Sequence, residues 1–337
     1  MKRLYCLVFL GSIFYQNGKC QAPPEEYNMN IRAADSFYLK EDYLNAAIAF
    51  SKAFKSVGWK GLLNDRYRAA RCWALADMPD SAFYQLDKMI INGNYSNIFA
   101  LKNDEELRPL HTDPRWANML NRVERNKEKL EENFNKPLVT QSDTIFNDDQ
   151  IHRLQLDSIA AKYGRKSSEM QWQLQIMHET DSINLIKVTR ILDTYGWPGK
   201  DEVGEQGSLT LFLVIQHADL QTQEKYLPLI EKACETGNLH ISNLALIKDR
   251  ILLRKGEKQI YGTQIALNQK SRLYYILPLA DPDSVDVRRK SIGLQPLAEY
   301  VKRWDIVWDP AKYKAQLPAI EEEFKKEFMP QIDSQNQ

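Results

Sequence analysis

A short stretch of the sequence gathers side chains of the types that chemistry needs. Gln216, His217 and Asp219 close an apolar run. Asp249 and Arg250 lie on the second amphipathic segment after it, and Gln259, Tyr261, Thr263 and Gln264 follow shortly. An imidazole titrates near neutrality, so His217 is the natural general base or ligand. Asp219 or Asp249 would orient it, completing a catalytic set of His217, Asp219 and Asp249. Gln216, Arg250, Gln259, Tyr261, Thr263 and Gln264 would supply hydrogen bonds to a substrate. The reaction class that fits is hydrolysis or group transfer.

Other chemistries lack their signatures. His217-x-Asp219 offers two ligands that diverge on a helix, there is no His-Glu-x-x-His, and His111, His152, His178 and His240 show no ligand spacing, so no metal is expected. Ser208 has no flanking nucleophile-elbow glycine pattern. Gly204-x-x-Gly207 lacks the strand before it and the lysine after it that a phosphate loop requires. No cofactor is specified.

The same residues have a purely structural reading. Asp249 would pair with Arg250 or Arg254, His217 would cap a helix, and Tyr261-Gly262-Thr263 would be a bending strand. Each polar group buried without a partner costs ~1–3 kcal/mol, so two glutamines and a tyrosine on one hairpin are an expensive way to hold a core. That consideration favours the pocket. The pocket requires His217, Asp249 and Tyr261 to converge within roughly 10 Å, the reach of one small ligand held by direct hydrogen bonds.

The elements that must position these residues are mostly helical. Residues 27–133 carry small and aromatic residues at helix-hairpin spacing. Ala34, Tyr43, Ala46, Phe50 and Ala53 form one unit, and Ala70, Ala82, Leu86 and Met89 a second. This spacing resembles the tetratricopeptide repeat, and residues 101–133 resemble a degenerate last unit. Residues 134–148 are polar and contain Pro137, which suggests a linker, with Asp148 or Asp149 capping the next helix.

From 149 to 328 the spacing predicts helices over 150–163, 167–195, 204–217, 222–236 and 242–255. A β-hairpin near 258–279 turns at 268–271, and short helices follow. Residues 329–337 read as a loose tail. The fold class is therefore mainly α: tetratricopeptide-like hairpins, then a second helical domain with one small β-hairpin.

Gly196-Trp197-Pro198, Val203-Gly204, Gln216-His217-Ala218-Asp219, Asp249-Arg250 and Gln259-x-Tyr261-Gly262-Thr263-Gln264 together resemble a bacterial domain family of unknown function. Val287-Arg288-Arg289 and Gly293-Leu294-x-Pro296-Leu297 extend the likeness, which covers roughly Asp149 to Tyr300. The resemblance implies a family and no activity.

The chain has 337 residues, and Lys plus Arg (45) equals Asp plus Glu (45). Net neutrality argues against a nucleic-acid binder and against a polybasic membrane-surface protein. Lys2-Arg3 followed by the apolar run Leu4–Tyr15 reads as a signal peptide over residues 1–20, with a linker at 21–26. The run is shorter than the ~20 residues a bilayer span needs. Export to the periplasm or beyond is expected, with no transmembrane segment in the mature chain. Lys19 disfavours lipid anchoring at Cys20. Cys72 and Cys234 suggest free thiols rather than a disulfide scaffold.

Two functions remain open. One is an envelope hydrolase or transferase whose repeats hold a protein or peptide. The other is a non-catalytic interaction or ligand-sensing protein.

Overall fold

The computed structural model describes residues 23–268, 271 and 273–327. The expected signal peptide, Cys20 and the 329–337 tail lie outside these residues. Among the described residues no helix is long and apolar enough to cross a membrane. The chain divides into two compact units between Asn133 and Phe134, and each is mainly helical.

The first unit begins with two helical hairpins, α1 (Glu25–Tyr38) with α2 (Tyr43–Ser56), and α3 (Leu63–Leu75) with α4 (Pro79–Gly93). Small residues let the helices approach. Ala34, Ala46 and Ala53 are fully buried beside Phe50 and Phe54, as are Ala70 and Ala82 beside Leu86 and Met89. Asp42 caps α2 by accepting from the Asn45 N–H, and Pro79 occupies the first turn of α4, where its missing N–H costs nothing. Helix α5 (Ile98–Asn103), a 3-10 turn (Glu105–Leu110) and α6 (Pro114–Leu130) close the unit. Polar bonds tie the first helix of each hairpin to its neighbours: Tyr27 donates to Asp65 (2.6 Å), Tyr67 donates to Asp104 (2.7 Å), and Arg71 pairs with Asp104 (3.2 Å) and Glu106. Cys72 is buried among these helices and is a free thiol.

The second unit corrects one expectation at once. Residues 134–148 are not a linker: α7 runs from Lys136 to Leu154, capped by Asn135. Its polar composition hides a buried stripe of Leu138, Ser142, Ile145, Phe146 and Asp149, spaced as one helical face. Asp149 is thus inside a helix and does not cap one. A break at Gln155 then separates α7 from α8 (Leu156–Tyr163).

Helix α9 (Ser168–Tyr195), capped by Ser167, and α10 (Lys200–His217) pack with α7 as a three-helix core. Helix α10 is kinked at Gly204 (φ 72°, ψ 175°), where a Cβ would sit 3.0 Å from the Phe134 ring. Beyond the kink, Leu211 to Gln216 are all buried. Helices α11 (Leu220–Glu235) and α12 (Ile241–Arg254) form the next hairpin.

The expected β-hairpin is present but short. β1 (Ile265–Leu267) pairs antiparallel with β2 (Tyr274–Ile276), with Ile265 opposite Ile276 and Leu267 opposite Tyr274. Residues 269, 270 and 272 of its turn lie outside the described set. Helices α13 (Val285–Ser291), α14 (Leu297–Val301) and α15 (Pro310–Glu327) complete the unit.

Candidate functional site

The end of α10 decides where His217 points. The last carbonyls of a helix have no partner within it. Here two guanidinium groups from α12 serve them: Arg250 donates to the Gln216 carbonyl (2.9 Å) and Arg254 to the Ala218 carbonyl (2.5 Å). Gln223 donates to the Gln216 carbonyl as well (2.8 Å). Positive charge at a helix C-terminus is favourable, so Arg250 is a capping residue and not a substrate ligand. The chain turns at once into α11, whose N-cap is Asp219, accepting from the Thr222 N–H at 2.7 Å. Asp219 is exposed and does not orient His217, which corrects its assignment to the catalytic set.

With its end fixed, α10 presents His217 to the stripe on α7. His217 Nδ1 lies 3.1 Å from Asp149 Oδ1. Arg153, one turn further along α7, pairs with the same oxygen at 3.1 Å and with Asp181 of α9 at 2.8 Å. Gln150 donates to the other Asp149 oxygen at 2.7 Å. Three helices thus meet in one polar knot. The side chain of Asp149 is 2 % exposed, whereas His217, Arg153 and Asp181 keep 13 %, 14 % and 17 %. His217 Nε2 makes no hydrogen bond to any described residue.

The electrostatics follow from this geometry. Burial, and then the neighbouring Arg153 charge, hold the His217 imidazole below its ordinary value, so it is neutral at pH 7. Burial alone would push the Asp149 carboxyl up. Its contacts with His217, Arg153 and Gln150 overcome that and hold it below the usual range. The carboxylate accepts the Nδ1–H and leaves the lone pair on Nε2, which is the tautomer of a general base.

Asp149, Asp181 and His217 also offer one metal-ligand atom each, all within 4.8 Å of one another. Arg153 already bridges both carboxylates, so the positive charge a cation would bring is supplied by the chain itself.

Asp249 plays a different part. It is fully buried on α12 and accepts four hydrogen bonds: from the N–H groups of Ile260 (2.8 Å), Tyr261 (2.9 Å) and Thr263 (2.9 Å), and from the Thr263 hydroxyl (2.9 Å). Burial pushes its carboxyl up and these donors pull it back. Both oxygens are occupied, and no face is left for a ligand. Residues 259–264 are therefore a loop wound around one carboxylate and not one face of a strand.

Gln259 and Gln264 bond mainly to backbone groups of the same region. Gln259 donates to the Gln264 (3.0 Å) and Leu277 (2.9 Å) carbonyls and accepts from the Gln264 N–H (2.8 Å). Gln264 donates to the Leu246 carbonyl at 3.2 Å. The Tyr261 carbonyl accepts from Arg289 at 2.6 Å, and the Thr263 carbonyl from Tyr300 at 3.0 Å. Gln216 is fully buried; its carbonyl accepts as described above, and neither polar atom of its side-chain amide has a hydrogen-bond partner among the described residues.

The nine expected residues thus fall into three groups. His217 joins a site with Asp149, Arg153 and Asp181, none of which was expected there. Asp249, Gln259, Tyr261, Thr263 and Gln264 hold the α12 end to the hairpin, and Gln216, Asp219 and Arg250 lie where α10 ends. Asp149-Gln150-x-x-Arg153 did carry a signal: a carboxylate and an arginine one turn apart, in phase with the apolar positions of a helix.

The loop needs a glycine at one place. Gly262 has φ +69°, and a Cβ there would meet the Leu297 methyls at 3.0 and 3.1 Å. Gly262→Ala is expected to cost about 1–3 kcal/mol, read as a lower denaturation midpoint with the His217 site intact.

Residues 140–312, about half of the chain, match a family of unknown function, DUF6624. No curated protein and no solved structure matches.

Proposed function

We propose, from the premise that this chain belongs to the DUF6624 family of unknown function, that its 134–327 unit carries a general-base site centred on His217. The observation that supports this most is the held imidazole: Nδ1 on the Asp149 carboxylate at 3.1 Å, and Nε2 without a hydrogen-bond partner among the described residues. Nε2 takes a proton from water or an acceptor hydroxyl as it attacks, and Asp149 stabilises the imidazolium that forms. The same proton then returns to the leaving group. Arg153 and Asp181 hold Asp149 in place and touch no reacting atom. No serine, threonine or cysteine hydrogen-bonds to His217 among the described residues, so the nucleophile in this reading is water or a second substrate.

The reaction is hydrolysis or group transfer outside the cytoplasm, as the basic and apolar start of the sequence suggests. In the same reading the hairpins of residues 27–133 are tetratricopeptide-like and hold a protein or peptide.

The test is turnover by the full chain on a panel of model esters, amides, glycosides and phosphoesters. At least one class should be turned over by the natural protein and not by His217→Ala. Turnover unaffected by the substitution, or none with any class, goes against a catalytic role. It would favour the interaction or ligand-sensing protein, a reading already supported by the closed bonding around Asp249.

A further inference from the structure

Helix α9 is 28 residues long and carries its large apolar side chains on the wrong side. Its inward face, with Met170, Met177, Val188 and Ile191, is buried in the unit. At 3.6 residues per turn, residues 172, 179, 183, 186 and 190 fall within an arc of about 60° on the opposite face. Three of these are Trp172, Ile183 and Ile186, with 67 %, 54 % and 69 % of their surface exposed. They sit at the pole of the outward face, where a surface helix ordinarily places charge.

The two charged residues of this arc are Glu179 and Arg190, both exposed. Glu179 accepts only from Gln175, four residues earlier, and Arg190 has no ion-pair partner among the described residues.

We infer that this face is an isologous dimer interface in which α9 packs antiparallel on α9 of a second copy. The spacing carries the inference. A two-fold axis set midway between Ile183 and Ile186 brings each of these isoleucines opposite the other across the interface. The same axis lies midway between Glu179 and Arg190, so each carboxylate meets a guanidinium at both ends of the apolar patch. Trp172 then falls opposite the corner at Gly196 that ends the facing helix. One symmetry operation therefore pairs apolar with apolar and acid with base, which is the self-complementarity a closed dimer requires. Reversing the facing helix to parallel would set glutamate against glutamate and arginine against arginine.

Sedimentation equilibrium of the full chain over a concentration series tests this. A reversible dimer is expected for the natural sequence. Glu179→Arg and Arg190→Glu should each weaken it at least about tenfold by placing like charges together, and the double exchange should restore it. Ile183→Glu should leave a folded monomer, with circular dichroism confirming the fold. A monomer at every concentration overturns the inference. So does a dimer that the charge reversals leave unchanged, or one that the double exchange fails to restore, because each would put the contact elsewhere.

Discussion

Asp249→Ala is expected to lower the unfolding free energy of the second unit by more than about 4 kcal/mol, the range in which a single substitution identifies a mechanism. The side chain is fully buried and accepts four hydrogen bonds from the loop that follows α12. Removing it strands three backbone N–H groups and a hydroxyl in a dry interior, at ~1–3 kcal/mol each. Alanine also leaves a cavity at this fully buried position. Asp249→Asn should fall between the two, because its amide oxygen still accepts while its NH2 faces a donor. Because the chain has two units, a single melting temperature is a poor readout. Denaturant-dependent exchange of the Ile260, Tyr261 and Thr263 amides reports on this loop alone. A loss below about 1 kcal/mol, the worth of one ordinary hydrogen bond, would contradict the clamp.

His217→Ala is expected to reduce kcat/KM by ~10²–10⁴ on any substrate the protein turns over, the usual contribution of a positioned general base. Asp149→Asn should be nearly as damaging without emptying the site. An asparagine amide facing Nδ1 can donate to it, which favours the opposite tautomer and puts the proton on Nε2. Asp149→Asn should therefore lower kcat with little change in KM, since Asp149 is buried and touches no substrate. Arg153→Lys keeps the charge but loses the two-pronged bridge between Asp149 and Asp181, and a smaller fall is expected. Steady-state kinetics on the responsive substrate class checks all three. Equal kcat for Asp149→Asn and the natural protein would contradict the orienting role.

Much of the architecture could be read from residue spacing. The small-residue pattern Ala34, Ala46, Ala53 and Ala70, Ala82 marked the first hairpins because close helix approach demands it. Helix α9 ends at Tyr195, as the spacing predicts, with Gly196 at φ +70° as its cap. What misled was polarity. Residues 134–148 look like a linker because the buried face of α7 is interrupted by polar residues and itself includes a serine.

The site was half legible for the same reason. His217 stood out by type. Its partner Asp149 looked like a helix cap, because a carboxylate next to a polar run is usually one. Only the tertiary packing of α7 against α10 shows that it is interior. Gln259, Thr263 and Gln264 stood out as ligands because sequence spacing cannot tell a hydrogen bond offered to a substrate from one offered to a neighbouring backbone group.

The His217 imidazole itself gives the most direct test, and it requires no substrate. In long-range proton–nitrogen correlation spectra of ¹⁵N-histidine-labelled protein, with His217→Gln for assignment, His217 should be the Nδ1–H tautomer at pH 7. It should titrate below the ordinary 6.5, from burial and the Arg153 charge. Unfolding restores that ordinary value, so as pH falls the unfolded chain binds the proton first. Stability from this residue is complete above about pH 6.5 and is lost progressively below it. An Nε2–H tautomer would mean that Asp149 does not leave the Nε2 lone pair free, and the general-base account would fail; a His217 that titrates above 6.5 would contradict the lowering by burial and Arg153.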